Sequence, residues 1–307
     1  MSIEQQISEE HTRLQAISKQ RARAAFNKAA TSYDSAAVLQ REVDKRLLER
    51  MDVVRMVPEL IVDLGCGTGE STQQLAARYK KARIIAMDFA ANMLLQAREK
   101  QSWAQRTIKR QQRYLCADVE SLPIADNSID LLYSNLTVQW CVDIDKAFSE
   151  FRRVLRPGGL LMFSTLGPDT LTELRQSWRA VDQQQHVHSF IDMHHLGDAL
   201  LQAKFSDPVM DIENFTLTYP DAYKLMHDLK ALGVHNASLQ RSSGLTGKAR
   251  LTAMTAAYEQ FRQNDVLPAS YEVVYGHAWV GEEANKKTTA PTHRDVNVEF
   301  SPRRNPR

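Results

Sequence analysis

Ile61-Val62-Asp63-Leu64-Gly65-Cys66-Gly67-Thr68-Gly69 decides how this 307-residue chain folds. Two β-branched residues lead into an acid, three glycines then alternate with small residues, and the polar, helix-compatible run 70–79 follows. The pattern reads as strand, tight turn, helix. Glycine is needed where φ is positive or where a ligand approaches the backbone, because it has no Cβ. The free amides that start the following helix point at whatever lies over the turn. In an open α/β sheet ligands bind there, at the carboxyl end of a strand.

The glycine spacing narrows the choice of ligand. A dinucleotide fingerprint, G-x-G-x-x-G, would place its last glycine at Glu70, whose carboxylate repels a pyrophosphate. A Walker loop fails because no Gly-Lys-Ser/Thr follows. The spacing D-x-G-x-G-x-G from Asp63 to Gly69 resembles motif I of the class I S-adenosylmethionine (AdoMet) methyltransferases. That ligand carries no phosphate; it has a cationic sulfonium and a zwitterionic tail, and an acid beside the glycines suits it. A glycine-rich turn with no ligand is the competing reading.

Two further strand ends carry acids. Arg83-Ile84-Ile85-Ala86-Met87-Asp88 is an apolar strand whose last residue lies at the offset of about 20 where an acid binds ribose hydroxyls. A carboxylate accepts from two vicinal hydroxyls at once. Tyr114 to Val119 reads as a third strand, with Asp118 near its end. In methyltransferases of the type resembled, such an aspartate meets the adenine amino group. Any one of these acids reads singly as a helix N-cap; three at strand ends point together at a ligand.

Strand and helix patterns alternate from 60 to 166, which implies a doubly wound parallel sheet. The fourth strand, Ser128 to Leu136, is apolar through its middle, as a central strand buried on both faces should be. The helix from Ile144 stops at Arg156-Pro157-Gly158-Gly159, and a fifth strand runs from Gly159 to Leu166. Two helical runs precede the first strand, within 21–55, and must lie over the sheet or its ligand face. Tyr33 sits at the break between them, either as an aromatic packed on the core or as a lid over the sulfonium. After Gly167 the alternation breaks down. Long strands at Pro208–Tyr219 and Ala269–Val280 bracket two helices and a Gly/Ser-containing loop, a cap insertion over 220–267.

Composition sets outer bounds. Hydrophobic residues make up 43% and charged residues 25%, as in an ordinary globular protein. A net charge of +2 is too small to argue for nucleic acid or membrane. Cys66, Cys116 and Cys141 have no paired spacing and read as small buried hydrophobes. His194 and His195 are adjacent, the wrong spacing for one metal on a helix face. The polar start, residues 1–20, has no signal-peptide core, and no apolar run approaches membrane-spanning length, so a cytoplasmic protein is expected. Residues 281–307 read as a polar, disordered tail.

Several stretches together resemble the malonyl-acyl-carrier-protein O-methyltransferases of biotin synthesis. They are residues 26–34 (FNKAATSYD), the glycine turn, Ser134-Asn135-Leu136, Phe190-Ile191-Asp192-Met193-His194, residues 228–233 (DLKALG), Gly244-Leu245-Thr246-Gly247 and residues 271–279 (YEVVYGHAW). The resemblance covers roughly residues 21–280. It departs at Gln240-Arg241, where the family's usual pattern has Gly-Arg. It implies a mostly parallel seven-stranded sheet with an N-terminal helical lid and a helical cap before the last strand. It implies AdoMet as methyl donor, held by Asp63, Gly65, Cys66, Gly67, Gly69, Asp88, Met93, Asp118, Val119, Asn135 and Leu136, with Tyr33 as the catalytic lid. It also implies an acyl carrier protein bearing malonyl as partner, with Arg241, Lys248 and Arg250 as cationic candidates for carrier docking. The residues agree with such chemistry: a carboxylate is ionised at neutral pH and needs no general base. A methyltransferase of small carboxylic acids, or a non-catalytic AdoMet-binding protein, would share the same first half.

Overall fold

The computed structural model describes residues 18–101, 111–234 and 247–281. The expected polar start before residue 18, the tail beyond 281, most of the Gly/Ser loop and Arg241 lie outside the described residues. Three helices come first: α1 (Lys19–Ala29), α2 (Tyr33–Ala36) and α3 (Val38–Arg50). There follow β1 (Leu60–Leu64), α4 (Glu70–Arg78), β2 (Arg83–Asp88), α5 (Ala91–Glu99), β3 (Gln112–Cys116), β4 (Ile129–Ser134), α6 (Ile144–Val154) and β5 (Leu155–Leu166). The last part holds α7 (Thr172–Arg179), α8 (Met193–Gln202), β6 (Ser206–Tyr219), α9 (Ala222–Ala231), α10 (Lys248–Tyr258) and β7 (Leu267–Trp279).

The strands form one seven-stranded sheet in the order β3-β2-β1-β4-β5-β7-β6. β1 to β5 are parallel, and β7 runs antiparallel to both β5 and β6. The order reverses between β1 and β4, so the carboxyl end of β1 opens on the crevice where such sheets bind ligands. β4 is buried along its whole length, as its apolar run requires. Alternate residues face opposite layers. Ile61, Leu131 and Met162 pack with α3, α7, α9 and α10 on one face; Val62, Leu132 and Leu161 pack with α6 and α8 on the other. The cap helices α9 and α10 thus share a core with the N-terminal helix α3.

Local sequence explains the elements around the site. On α6, Ile144, Ala147, Phe148, Phe151 and Val154 repeat at helical spacing and are buried, and Asp143 caps the start by accepting from the Lys146 amide. Burying each large side chain stabilises the fold by about 1.5–3 kcal/mol. β5 starts at Leu155, earlier than the Pro and glycines suggest. Leu155 pairs with Ile129 and Leu160 with Leu131, so the Arg156–Gly159 stretch bulges out of an otherwise continuous ladder. Gly276 on β7 is needed for close packing: a Cβ there would stand 2.4 Å from the Phe163 ring.

Cys66 and Cys141 are buried, but Cys116 is exposed, contrary to the sequence reading. β3 is the outermost strand, so its end lacks a covering neighbour on one side, and the Arg23 guanidinium stands 3.9 Å from the Cys116 sulfur. β3 also ends earlier than expected, leaving Asp118 in the turn beyond it. Among the described residues, no helix is long and apolar enough to cross a membrane, and no cluster of His, Cys, Asp or Glu is arranged to hold a metal.

Candidate functional site

The three turn glycines all have positive φ, at +68°, +52° and +85°, but they serve different contacts. A Cβ on Gly65 would overlap the Thr137 side chain at 2.0 Å, and one on Gly69 would meet the Ala97 Cβ at 2.8 Å. Those two let the turn pack against its neighbours. Only Gly67 faces open space, with the Tyr33 ring 3.9 Å from where its Cβ would be. The Gly65 and Cys66 amides donate to the Met87 carbonyl at 2.7 and 2.9 Å, which ties the turn to β2.

Asp88, at the end of β2, holds the turn from the other side. Its Oδ2 accepts from the Gly67 amide at 3.0 Å and its Oδ1 from the Ala90 amide at 2.7 Å. Burial pushes its carboxyl up to about 6, and the amides of Ala90, Gly67 and Phe89 pull the other way. Asp63 lies deeper, 1% exposed, and accepts from the Thr72 hydroxyl at 2.5 Å. Burial raises it to about 8, and the charges of Asp44 and Asp88 add to the rise.

A cavity opens over Gly67. The expected residues Tyr33, Gly65, Gly67, Asp88 and Met93 line it, as do Asp118, Val119, Asn135 and Leu136. Three expected residues do not. Asp63 is sealed beneath the turn, Gly69 caps α4 against α5, and Cys66 faces a neighbouring polar cavity that also reaches Asp34, Asp44 and Lys100. Leu136 takes φ +49°, unusual outside glycine, and is held by two hydrogen bonds from its amide to Ser164. Asn135 accepts from the Ser164 hydroxyl at 2.7 Å and donates to the Gln40 carbonyl at 3.0 Å.

Several lining residues escape a reading of the sequence. Lys19, at the start of α1, reaches Asp118 at 2.6 and 2.7 Å and Glu120 at 2.9 Å. Phe26 packs edge-on to Trp140 with ring centroids 5.0 Å apart, and both line the cavity. Phe26 opens the stretch that carries the resemblance, but its place on the cavity does not show in the sequence, because the contacts depend on how α1 folds across the sheet.

A second, mostly apolar chamber adjoins the first. Phe26, Tyr33, Leu136 and Trp140 line both and so form their common wall. Leu171 and Leu174 of α7, His186 and His188 of the loop after it, and Leu229 of α9 complete the chamber. Tyr33 is half-buried, and burial together with the charges of Asp88 and Asp34 pushes its hydroxyl well above the ordinary tyrosine value. It is a neutral phenol at physiological pH.

Of the docking candidates, Lys248 is exposed at the start of α10. Arg250 is exposed too but stands 3.7 Å from the Asp182 carboxylate. Arg153, in the last turn of α6, has a structural role instead. Arg153 binds Glu150 and Asp126 and the carbonyls of Leu122 and Ile124, closing the loop before β4.

Known proteins place this geometry. Residues 62–163 match the methyltransferase domain family. The fold is similar to the YcgJ protein of Bacillus subtilis (TM-score 0.53, 16% identity, 78% of this chain and 99% of that one). It is similar as well to Haemonchus contortus phosphoethanolamine N-methyltransferase 2 in complex with S-adenosyl-L-methionine (TM-score 0.52, 16% identity, 83% of this chain and 57% of that one). Sequence similarity is much closer to two malonyl-acyl-carrier-protein O-methyltransferases. That of Methylovorus is 51% identical over 86% of this chain and 89% of its own length; that of Gallionella capsiferriformans is 50% identical over 86% and 91%. With half the residues shared across nearly the whole of these relatives, the chain belongs to the malonyl-acyl-carrier-protein O-methyltransferase family.

Proposed function

We propose that this chain methylates the free carboxylate of a malonyl thioester carried on acyl carrier protein, with AdoMet as donor. The observation that carries the reading is the common wall: four side chains separate, and join, a cavity over the glycine turn and an apolar chamber beside it. The residues of the first cavity fit AdoMet. Gly67 leaves a cradle that a Cβ would fill, Asp88 offers a carboxylate to vicinal hydroxyls, and the adjoining polar cavity holds charges of both signs for a zwitterionic tail. AdoMet would supply a methyl group on a sulfonium: a carboxylate oxygen bonds to the methyl carbon as the carbon–sulfur bond breaks, and the neutral thioether S-adenosylhomocysteine leaves, with no proton moved.

The chain's own work is therefore positioning and exclusion of water. Tyr33, Phe26 and Trp140 close the wall with rings rather than with bases. Tyr33 keeps its proton in that setting, so it adds no negative charge to compete with the acceptor carboxylate. His188 in the chamber is held neutral, pulled down to about 4 chiefly by burial. Turnover tests the reading. Malonyl carrier protein should be methylated in preference to free dicarboxylic acids; the reverse preference would mean a small-molecule carboxyl methyltransferase, and AdoMet binding without turnover of either would mean a binding protein.

A further inference from the structure

Two carboxamides in the wall of the apolar chamber keep their amino groups idle. Gln139 lies in the short turn Val138–Trp140 that follows β4, and Gln40 lies in the first turn of α3. Both line the chamber. Asn135, at the end of β4, relates them: it donates to the Gln40 carbonyl at 3.0 Å, and the chain turns from it into Gln139.

Gln139 is fixed through its two oxygens. Its backbone accepts from the His188 ring, and its Oε1 accepts from the Thr165 hydroxyl at 3.2 Å. Thr165 is buried, and its hydroxyl has no other acceptor among the described residues, so the oxygen end of the carboxamide must face it. Nε2 is then the free end; it makes no hydrogen bond among the described residues and is not shut away from the chamber. Gln40 is half-buried, and its carboxamide makes no hydrogen bond among the described residues. Its Oε1 is shut in, which leaves Nε2 as the end open to the chamber and to the polar cavity beside the glycine turn. Elsewhere such groups are used: the side-chain amino groups of Gln74, Gln111 and Asn135 donate at 3.0, 2.8 and 3.0 Å. N–H groups in an apolar wall without an acceptor are costly, so a pair of idle ones points to an absent partner.

The partner must only accept, because each amino group offers two N–H bonds and neither carboxamide oxygen is free. An ionised carboxylate meets that condition; a carrier-arm amide brings an N–H that would itself need an acceptor. Gln40 also lies where the chamber meets the cavity expected to hold the AdoMet tail, which is the reacting end of the chamber. We propose that the amino groups of Gln139 and Gln40 receive the malonyl carboxylate and aim it at the methyl group. This rests on the acceptor being a malonyl thioester, as argued above. Neutral donors suit the task. A cation would compete with the sulfonium for the carboxylate's charge, whereas an amide orients the carboxylate and leaves a lone pair free to attack. An acyl group without the second carboxylate would leave the amides unpaired, which favours malonyl over acetyl. Methylation removes the charge they answer, so the ester is held more weakly than the acid.

The test uses the full chain with Gln139→Met, Gln139→Glu and the double variant Gln40→Met with Gln139→Met. Gln139→Met should lower kcat/KM about tenfold to a hundredfold on both malonyl carrier protein and malonyl-pantetheine, as loss of a hydrogen bond to a charged group predicts. Its AdoMet affinity by calorimetry should stay within about twofold of wild type, since Gln139 lines the chamber alone. Gln139→Glu keeps the shape and can still accept from Thr165, yet it replaces the donor by an acceptor. At alkaline pH, where the new carboxylate is ionised, it should lose more activity than Gln139→Met, the reverse of what a merely structural role gives. Binding of malonyl-pantetheine and of acetyl-pantetheine to the S-adenosylhomocysteine complex gives the second readout. Wild type should prefer malonyl, and the double variant should bind the two alike. Gln139→Glu outperforming Gln139→Met, or a malonyl preference that survives in the double variant, overturns the assignment while leaving the proposed reaction standing. Failure of the wild type to turn over either malonyl thioester overturns the reaction and the assignment together.

Discussion

Asp88 has two duties that pull against each other. It pins the glycine turn through the Gly67 amide, and it offers its remaining lone pairs to the cavity. Removing it should cost AdoMet binding about 2 kcal/mol, roughly thirtyfold in Kd, because charge-assisted hydrogen bonds are lost. Calorimetry on Asp88→Ala checks this, and an unchanged Kd would remove Asp88 from the ribose site. Asp63 has one duty, under the turn, and it is out of reach of the cavity. Its carboxyl is raised to about 8 by burial, above the unfolded value of 3.8, so the folded state holds the proton more tightly than the unfolded chain. Its contribution to stability is then fully present below about pH 4 and is lost as pH rises through about 8. Asp63→Asn cannot ionise and can still accept from Thr72. The variant should gain in melting temperature over wild type from pH 5 to about pH 8 and level off above it, read by thermal melts from pH 5 to pH 9. A constant difference would mean that Asp63 is charged in the fold at every pH. The acid was legible in the sequence as part of the motif, but its burial was not, because the Thr72 contact depends on α4 closing over the turn.

At the level of elements, the turn and its flanking strands were readable because apolar runs and glycine punctuation are local. The covering helices were readable as helices, but the contacts they make across the sheet were not. Lys19 and Asp118 stand 99 residues apart in the chain, and Cys116 is exposed only because β3 ends the sheet. α1 therefore deserves its own test. Its first residue clasps Asp118 and Glu120 beside the cavity, while Phe26 further along forms part of the common wall. Lys19 and Asp118 are 28% and 41% exposed in their side chains, so solvent screens the pair and its worth is that of a surface ion pair. Lys19→Ala should speed AdoMet dissociation about two- to fivefold, with a smaller effect in high salt. Stopped-flow displacement measures it. A dissociation rate equal to wild type at low salt would mean that α1 is held over the cavity by its apolar contacts alone.

Across the whole molecule, the cap is the part that a common fold does not explain. α9 and α10 join the same core as α3 and α7, so the chamber is walled by elements from both ends of the chain. The first turn of α10 carries Lys248 and Arg250 and no acid. Cations there oppose the helix dipole, which favours negative charge at a helix start, so helix stability does not explain them. An acidic carrier protein meeting this rim would be steered by such charges, and the steering should weaken with salt. Arg250 is partly answered by Asp182 at 3.7 Å, which leaves Lys248 the freer of the two. Lys248→Glu with Arg250→Glu should raise KM for malonyl carrier protein several-fold at low salt, since rim charges act mainly on association. The same variant should leave AdoMet affinity and turnover of malonyl-pantetheine unchanged, because neither residue lines the chamber. Equal losses on the carrier-bound and the short substrate would place the α10 cations inside the pocket, and docking would have to be sought on another face.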